Sequence, residues 1–328
     1  MPAEWVQHSC TWMAWPCRVG LWHDEDATRL AYANVANTIS RFEIVKMLVP
    51  AAHLVKARTH LNSNVEIVEI EIDDSWARDS GPNFLLNGKG EIAGSCWQFN
   101  AWGGKYAPYD QDALMGRRIL ELEGARIFSS ELCAEGGGIT VDGEGTIITT
   151  ESCFLNSNRN PDWTKQEVED ELCRTLGAEK VLWIPGDVEE METNGHIDGV
   201  AAFVKPGVVL VEISTNEQNP YYSTGRMNAD ALSGQKDAKG RTLHIEFIET
   251  GSLENVNSDK DCRSYINSYL ANGCVIVPGY DNEQDKVAVE TYQRLYSERE
   301  IVQVQIAAIA EGGGGIHCIT QQQPEAIN

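Results

Sequence analysis

Short strand signals and amphipathic helical stretches alternate along the whole chain without an intervening linker, and this alternation restricts the possible folds more than any other feature. Residues 65–74 (VEIVEIEIDD) set Val68, Ile70 and Ile72 against Glu69, Glu71 and Asp73, with the period of two expected of a half-buried strand. Segments 146–150, 200–204, 208–213, 274–277 and 301–306 also read as strands. Residues 162–176 carry the clearest helical pattern. Thr164 and Glu167 are spaced as a capping box, and Val168, Leu172 and Leu176 recur every fourth residue. Segments 112–122 and 285–296 repeat that pattern more weakly, and the polar run 254–261 reads as an exposed loop. No Pro/Ser-rich tract or compositional break divides the chain. Its 328 residues suit two average domains or one large α/β unit, and the mixed order of elements indicates an α/β fold. One internal echo is present: AEGGGIT at 134–140 and AEGGGGIH at 310–317, either a coincidence or the trace of a repeated module.

Charge narrows the range of partners. There are 49 Asp and Glu against 26 Lys and Arg, a formal net charge of −23. A chain this acidic is a poor match for nucleic acid or an anionic membrane surface, both of which call for clustered basic residues. It tolerates a small cationic partner, which a negative field concentrates, although much of the charge can serve as a solvated surface. The N-terminal sequence does not resemble a signal peptide, and no 18-residue apolar run exists, so no membrane span is expected. The nine cysteines are odd in number, widely spaced and without a C-x-x-C pair. This argues for free thiols in a reducing cytoplasm, against a disulfide framework, and against a structural zinc site.

Six runs pair polar or aromatic residues with Gly or Pro: TWMAWP (11–16), DDSWARDSGP (73–82), FNAWGG (99–104), EGGGI (135–139), TNGHIDG (193–199) and EGGGGIHCIT (311–320). Such turns bring backbone close to a ligand or present a side chain to it. Asp79, Glu135, His196, Asp198 and Cys318 are the titratable groups at their tips. Cys318 follows a four-glycine run that would expose a thiol, although a buried structural cysteine is the ordinary alternative. His196 and Asp198, two residues apart, face one side if the segment is extended, which suits a general acid–base beside a carboxylate. Asp79 with Asp198 can clamp a planar guanidinium bidentately, with Trp76 against its face; alternatively, Asp79 pairs with Arg78 or caps a turn. Neither a paired-histidine zinc motif nor a phosphate-binding glycine loop is present, so no metal and no cofactor are expected.

Taken in order over nearly the whole chain, these motifs resemble the agmatine deiminase (agmatine iminohydrolase) family of the guanidine-modifying pentein superfamily. The resemblance is carried by PAEW, TWMAWP, WARDSGP, FNAWGG, EGGG, LNSNRNP, TNGHID and IHCITQQQP. It implies an α/β propeller of five ββαβ-type modules around a pseudo-fivefold axis, with residues 1–328 forming a single catalytic domain. It further implies that Asp79 and Asp198 bind the guanidinium, Cys318 is the nucleophile, and His196, oriented by Glu135, is the acid–base. The expected reaction is hydrolysis of agmatine to N-carbamoylputrescine and ammonia, in a cytoplasmic homo-oligomer with a dimer favoured. Agmatine ends in an amine, and the acidic stretch Asp187, Glu189, Glu190 and Glu192 offers partners for it; Glu192 is taken as the binding residue. The rivals are a peptidyl-arginine deiminase and an amidinotransferase of the same superfamily. One departure is the segment 251–262, which is shorter than its counterpart in plant-type members.

Overall fold

The computed structural model describes residues 1–252, 258 and 260–326. Strand β1 (His8–Ala14) pairs in parallel with β2 (Ile44–Val49), and β2 pairs in parallel with β3 (Val65–Glu69). Strands β4 (Asn83–Leu86) and β5 (Ile92–Gln98) are antiparallel, and β6 (Arg126–Cys133) then joins β5 in parallel. The same plan recurs in β7 (Ile139–Val141), β8 (Thr146–Thr150) and β9 (Lys180–Ile184). It recurs again in β10 (Ala201–Lys205), β11 (Val208–Ile213) and β12 (His244–Glu249). The fourth copy is β13 (Tyr269–Ala271), β14 (Cys274–Gly279) and β15 (Glu300–Gln305). Finally β16 (Gln321–Pro324) returns to pair antiparallel with β1, so one module is shared between the two ends of the chain. Among the described residues the strands form five sheets.

One helix makes the parallel crossover within each module: α1 (Glu25–Ile39), α2 (Met115–Leu122), α3 (Lys165–Leu176), α4 (Tyr222–Leu232) and α5 (Gln284–Leu295). The result is five ββαβ modules, an α/β propeller. Helix α3 forms where its sequence directs. Thr164 and Glu167 complete the capping box, Val168, Leu172 and Leu176 are buried, and Gly177 ends the helix at φ +67°. Burying each of those three side chains contributes roughly 1.5–3 kcal/mol.

Other segments depart from expectation in instructive ways. The strand expected over 65–74 stops at Glu69: the Ile70 N–H still donates to the Val49 carbonyl, but the Ala51 N–H, the next donor on that edge, is taken by the Glu71 carboxylate as residues 51–53 turn into a 3₁₀ helix. Val68, Ile70 and Ile72 nevertheless share one core cluster with Met115 and Ile119, so the alternation identified the correct face. The helix expected over 112–122 opens with a 3₁₀ turn, Asp112–Leu114, before α2. Of the loop expected over 254–261, residues 254–257 and 259 lie outside the described residues. Within it, Asp261 holds Arg263 at 3.0 Å. All nine cysteines are free, and none of the described helices is long and apolar enough to cross a membrane.

Candidate active site

Each module delivers a residue to one place, on the segment that leads into the strand pairing antiparallel at its start. Asp79 lies on the helical turn Ala77–Ser80 before β4, Glu135 precedes the turn Gly136–Gly138 before β7, and His196 and Asp198 precede β10. Asn267 comes before β13 and Cys318 before β16. The two AEGGG runs do not occupy matching positions, since Glu135 stands four residues before β7 and Glu311 ten before β16.

Asp79 and Asp198 are both buried. Asp79 accepts hydrogen bonds from Trp102 Nε1 (2.9 Å) and from the Gly137 N–H (3.0 Å). Asp198 Oδ2 accepts from His317 Nδ1 (2.9 Å) and lies 3.5 Å from Cys318 Sγ. Asn267 bridges the pair, donating from Nδ2 to both Cys318 Sγ and the Asp198 carbonyl at 3.1 Å. His196 Nε2 meets Glu135 Oε2 at 3.3 Å, while Nδ1 makes no hydrogen bond and lies 3.7 Å from Asp79 Oδ1. Arg159 holds the other Glu135 oxygen at 2.6 Å and also donates to Asn158, Asn194 and the Thr193 carbonyl, tying down the loop that carries His196.

Burial sets the electrostatics, and neighbouring charges modify it. Burial pushes the Cys318 thiol well above its ordinary range, and Asp198 and Asp79 push it further. Burial also raises Asp79, to about 6, against the pull of His196 and with Asp198 and Glu135 adding to the rise. Burial opposes charge on His196 as well, but Asp79 and the contacts with Cys153 and Glu135 overcome it and raise the imidazole. Glu135 is lowered despite burial by Arg159 and His196, and Asp198 is lowered despite burial by its bond to His317. The site thus holds a protonated thiol between two carboxylates. A cation seated on those carboxylates would cancel the charge that suppresses ionisation of the thiol.

Gly137 shows how closely these groups converge. A Cβ there would stand 2.6 Å from His196 Nδ1, 2.7 Å from Asp79 Oδ1 and 3.1 Å from Asp198 Oδ2. Gly137→Ala should therefore lower kcat/KM by about 10²-fold, the cost of displacing reacting groups by part of an ångström. Steady-state kinetics beside a melting curve checks this. A variant with unaltered kinetics would mean that the three groups do not act together.

Cys318 opens into a cleft of about 360 Å³ lined also by Asp79, Trp76, Trp102, Tyr106 and Glu192. Trp76 stands on its wall, 5.6 Å from Trp22 between ring centroids. Glu192 accepts from the Tyr106 hydroxyl, and Lys260 Nζ lies 3.6 Å from its carboxylate. Of the acidic stretch only Glu192 lines this cleft. Glu190 instead caps its own loop through Thr193 and Gly195 N–H groups, and Asp187 accepts from the Glu189 N–H.

Two expectations are corrected. His196 and Asp198 do not share an extended segment, since a 3₁₀ turn, Ile197–Gly199, carries Asp198 and still aims both groups inward. Cys318 is not exposed by its glycines: it is 7% accessible, on the cleft wall. The glycines are small because neighbours crowd them, Trp22 at Gly312, Trp76 at Gly314 and Asn267 at Gly315. Sequence reasoning missed Arg159, Trp102, His317 and Asn267. The first three lie inside motifs already singled out, whereas nothing local marks Asn267. Glu135, Cys153 and His196 place donor atoms within 4.8 Å of one another, but the Arg159 guanidinium already neutralises Glu135 and would repel a metal ion.

Residues 1–324 match the sequence profile of the Porphyromonas-type peptidyl-arginine deiminase family. The chain is 39% identical over 349 residues to the agmatine deiminase of Ectopseudomonas mendocina, covering 99% of this chain and 95% of that relative. It superposes on the structure of the agmatine deiminase of Enterococcus faecalis with a TM-score of 0.95 at 36% identity, covering 100% of this chain and 96% of the other. The DDAH of Pseudomonas aeruginosa shares the fold at 12% identity and a TM-score of 0.53, covering 96% of this chain and 99% of the other.

Proposed function

The chain belongs to the Porphyromonas-type peptidyl-arginine deiminase family, and from that premise we propose that it hydrolyses the guanidinium of agmatine to N-carbamoylputrescine and ammonia through a covalent Cys318 intermediate. The observation that carries this reading is that Asp79, Cys318 and Glu192 line one cleft while Asp198 Oδ2 stands 3.5 Å behind the Cys318 thiol. The two inner carboxylates hold the guanidinium bidentately, with Trp76 beside it, and its charge favours the thiolate. The thiolate attacks the guanidinium carbon, forming the C–S bond of a tetrahedral adduct. Protonated His196 gives its proton to the nitrogen that leaves as ammonia, and a thiouronium remains. His196, now neutral, takes a proton from water as the water oxygen bonds to that carbon. The C–S bond breaks as the adduct's hydroxyl proton passes to solvent, releasing the ureido product and the thiolate. Glu135 and Arg159 position the imidazole, and the whole chain acts as one catalytic unit because every module contributes to the site.

Glu192 receives the substrate's ammonium. Glu192→Gln should raise KM for agmatine about 10- to 100-fold with kcat little changed, as expected when one charge-assisted contact common to ground and transition states is lost. An unchanged KM would remove Glu192 from substrate binding. Free arginine is disfavoured because its α-carboxylate would meet the Glu192 carboxylate on the cleft wall.

The direct test incubates the protein with agmatine and measures ammonia and N-carbamoylputrescine. Turnover of arginine or of a peptidyl-arginine equal to that of agmatine would overturn the assignment, and a requirement for an amine acceptor would indicate amidino transfer. The product stands one hydrolysis from putrescine, which supports a place in putrescine and polyamine biosynthesis. The nine free thiols support a cytoplasmic setting. A homodimer is expected on the family resemblance, and light scattering checks it.

A further inference from the structure

Two groups that this mechanism leaves without a task meet behind Asp198. His317 Nδ1 lies 2.9 Å from Asp198 Oδ2, and its Nε2 lies 3.0 Å from Oε2 of Glu4, in the PAEW run. A neutral imidazole has one N–H and can donate to only one of these carboxylates, so donation to both requires the imidazolium. Glu4 is anchored through its other oxygen by the Leu270 N–H at 2.8 Å. Arg78 lies 3.9 Å from Glu4 and donates from Nε to the His317 carbonyl at 3.3 Å. The charged and titratable groups facing His317 are therefore Asp198, Glu4, Arg78 and its chain neighbour Cys318. A second, partly open pocket is lined by Glu4, Arg78, Asp198 and His317 but not by Cys318.

Counting charges gives the pair a purpose. When a guanidinium is bound and the thiol ionised, Asp79, Asp198, Glu135 and Cys318 carry four negative charges. The guanidinium, His196 and Arg159 carry three positive ones. Glu4 adds a fifth negative charge, which Arg78 offsets from 3.9 Å, and an imidazolium at His317 supplies the remaining positive one, bonded to Asp198 directly. Burial and Arg78 oppose that charge, yet Glu4 and Asp198 raise His317 above its ordinary range, and Glu4 itself falls to about 2.

We propose that His317 is a positioning residue, held as an imidazolium by Glu4, that keeps Asp198 ionised and aimed at the substrate guanidinium. The proposal rests on the guanidine-hydrolase reading of the site. Because the raised His317 must keep its proton, activity is present below its folded-state pKa and is lost as pH rises through it. Removing the Glu4 charge should bring that loss to lower pH, by about one unit for one neighbouring carboxylate.

The test compares wild type, Glu4→Gln and His317→Gln. It records the pH profile of kcat/KM with agmatine and the pH midpoint of Cys318 alkylation by iodoacetamide, followed by mass spectrometry. In Glu4→Gln the alkaline limb should move down by about one unit, and the alkylation midpoint should move up. In His317→Gln the acid limb should rise, because Asp198 loses its counter-ion, and kcat/KM should fall about 10²-fold mainly through KM. If His317→Gln does not fold, the near-isosteric Glu4→Gln decides alone. A Glu4→Gln profile and alkylation midpoint that both coincide with wild type overturn the proposal, even if the melting temperature drops. Alkylation needs no substrate, so failure to turn over agmatine would sink the functional reading while still leaving this pair tested.

Discussion

Cys318→Ser should reduce agmatine turnover at least about 10⁴-fold while leaving the melting temperature within a degree or two of wild type, as expected when a nucleophile is removed from an otherwise intact site. The substitution is nearly isosteric. The serine hydroxyl can keep the bond from Asn267 Nδ2, and the residue 318 N–H still donates to Asn267 Oδ1 at 3.2 Å. It loses the ability to ionise. A thiol that burial and two carboxylates already hold protonated becomes a thiolate once a cation cancels them, whereas a hydroxyl starts several units higher and stays neutral. With agmatine, mass spectrometry of the wild type should show the mass of agmatine less ammonia, the alkyl-substituted thiouronium, added to the Cys318 peptide during turnover and none in the variant. Near-normal turnover by Cys318→Ser would eliminate covalent catalysis at this position.

The second large effect concerns a group that never touches substrate. Arg159 and Glu135 form an ion pair at 2.6 Å with both side chains 0% exposed. Arg159→Met removes the cation and leaves a buried carboxylate, which should cost about 3–5 kcal/mol of stability. It should also lower kcat, because Arg159 fastens the loop bearing His196 through Asn194 and Thr193.

The pH dependence should change sign. In wild type the Glu135 carboxyl is lowered by folding, so its contribution is present above its unfolded pKa and lost as pH falls through the folded one. Without Arg159 burial should outweigh the remaining pull of His196 and raise it, so the variant should gain stability as pH falls. Adding Glu135→Gln should restore much of the stability but not the activity. Calorimetric melting of the two variants at two pH values reads the stability effects, and steady-state kinetics reads kcat. An Arg159→Met protein that melts with wild type at neutral pH would show that the pair is not structural.

The residues differ in how visible they were. Asp79, Glu135, His196, Asp198 and Cys318 all sit in runs rich in Gly or Pro, where a close approach of backbone leaves a local mark. Gly137 is the clearest case, since any side chain there would strike three polar groups of the site. The capping box and the four-residue apolar spacing of α3 were equally local, and so was the face of Val68, Ile70 and Ile72. Where the strand beginning at Val65 ends was not local, because it depends on Ala51 beyond the neighbouring strand, whose N–H the Glu71 carboxylate takes.

Asn267 left no signal, although it bonds both the nucleophile and the carbonyl of a guanidinium-binding residue, since an asparagine before a short strand looks like any other. Glu192 could not be separated from Asp187, Glu189 and Glu190 by charge alone. Only their hydrogen bonds did so, by committing Glu190 to its own loop and leaving Glu192 on the cleft. The partners of His317 lie 119 and 313 positions away. Local sequence thus determined which segments could turn sharply, which faces were apolar and which groups could do chemistry. Tertiary structure alone decided which of those groups share a charge, because a carboxylate's ionisation and a thiol's reactivity depend on burial and on neighbours that the chain brings together only when five modules close on one another.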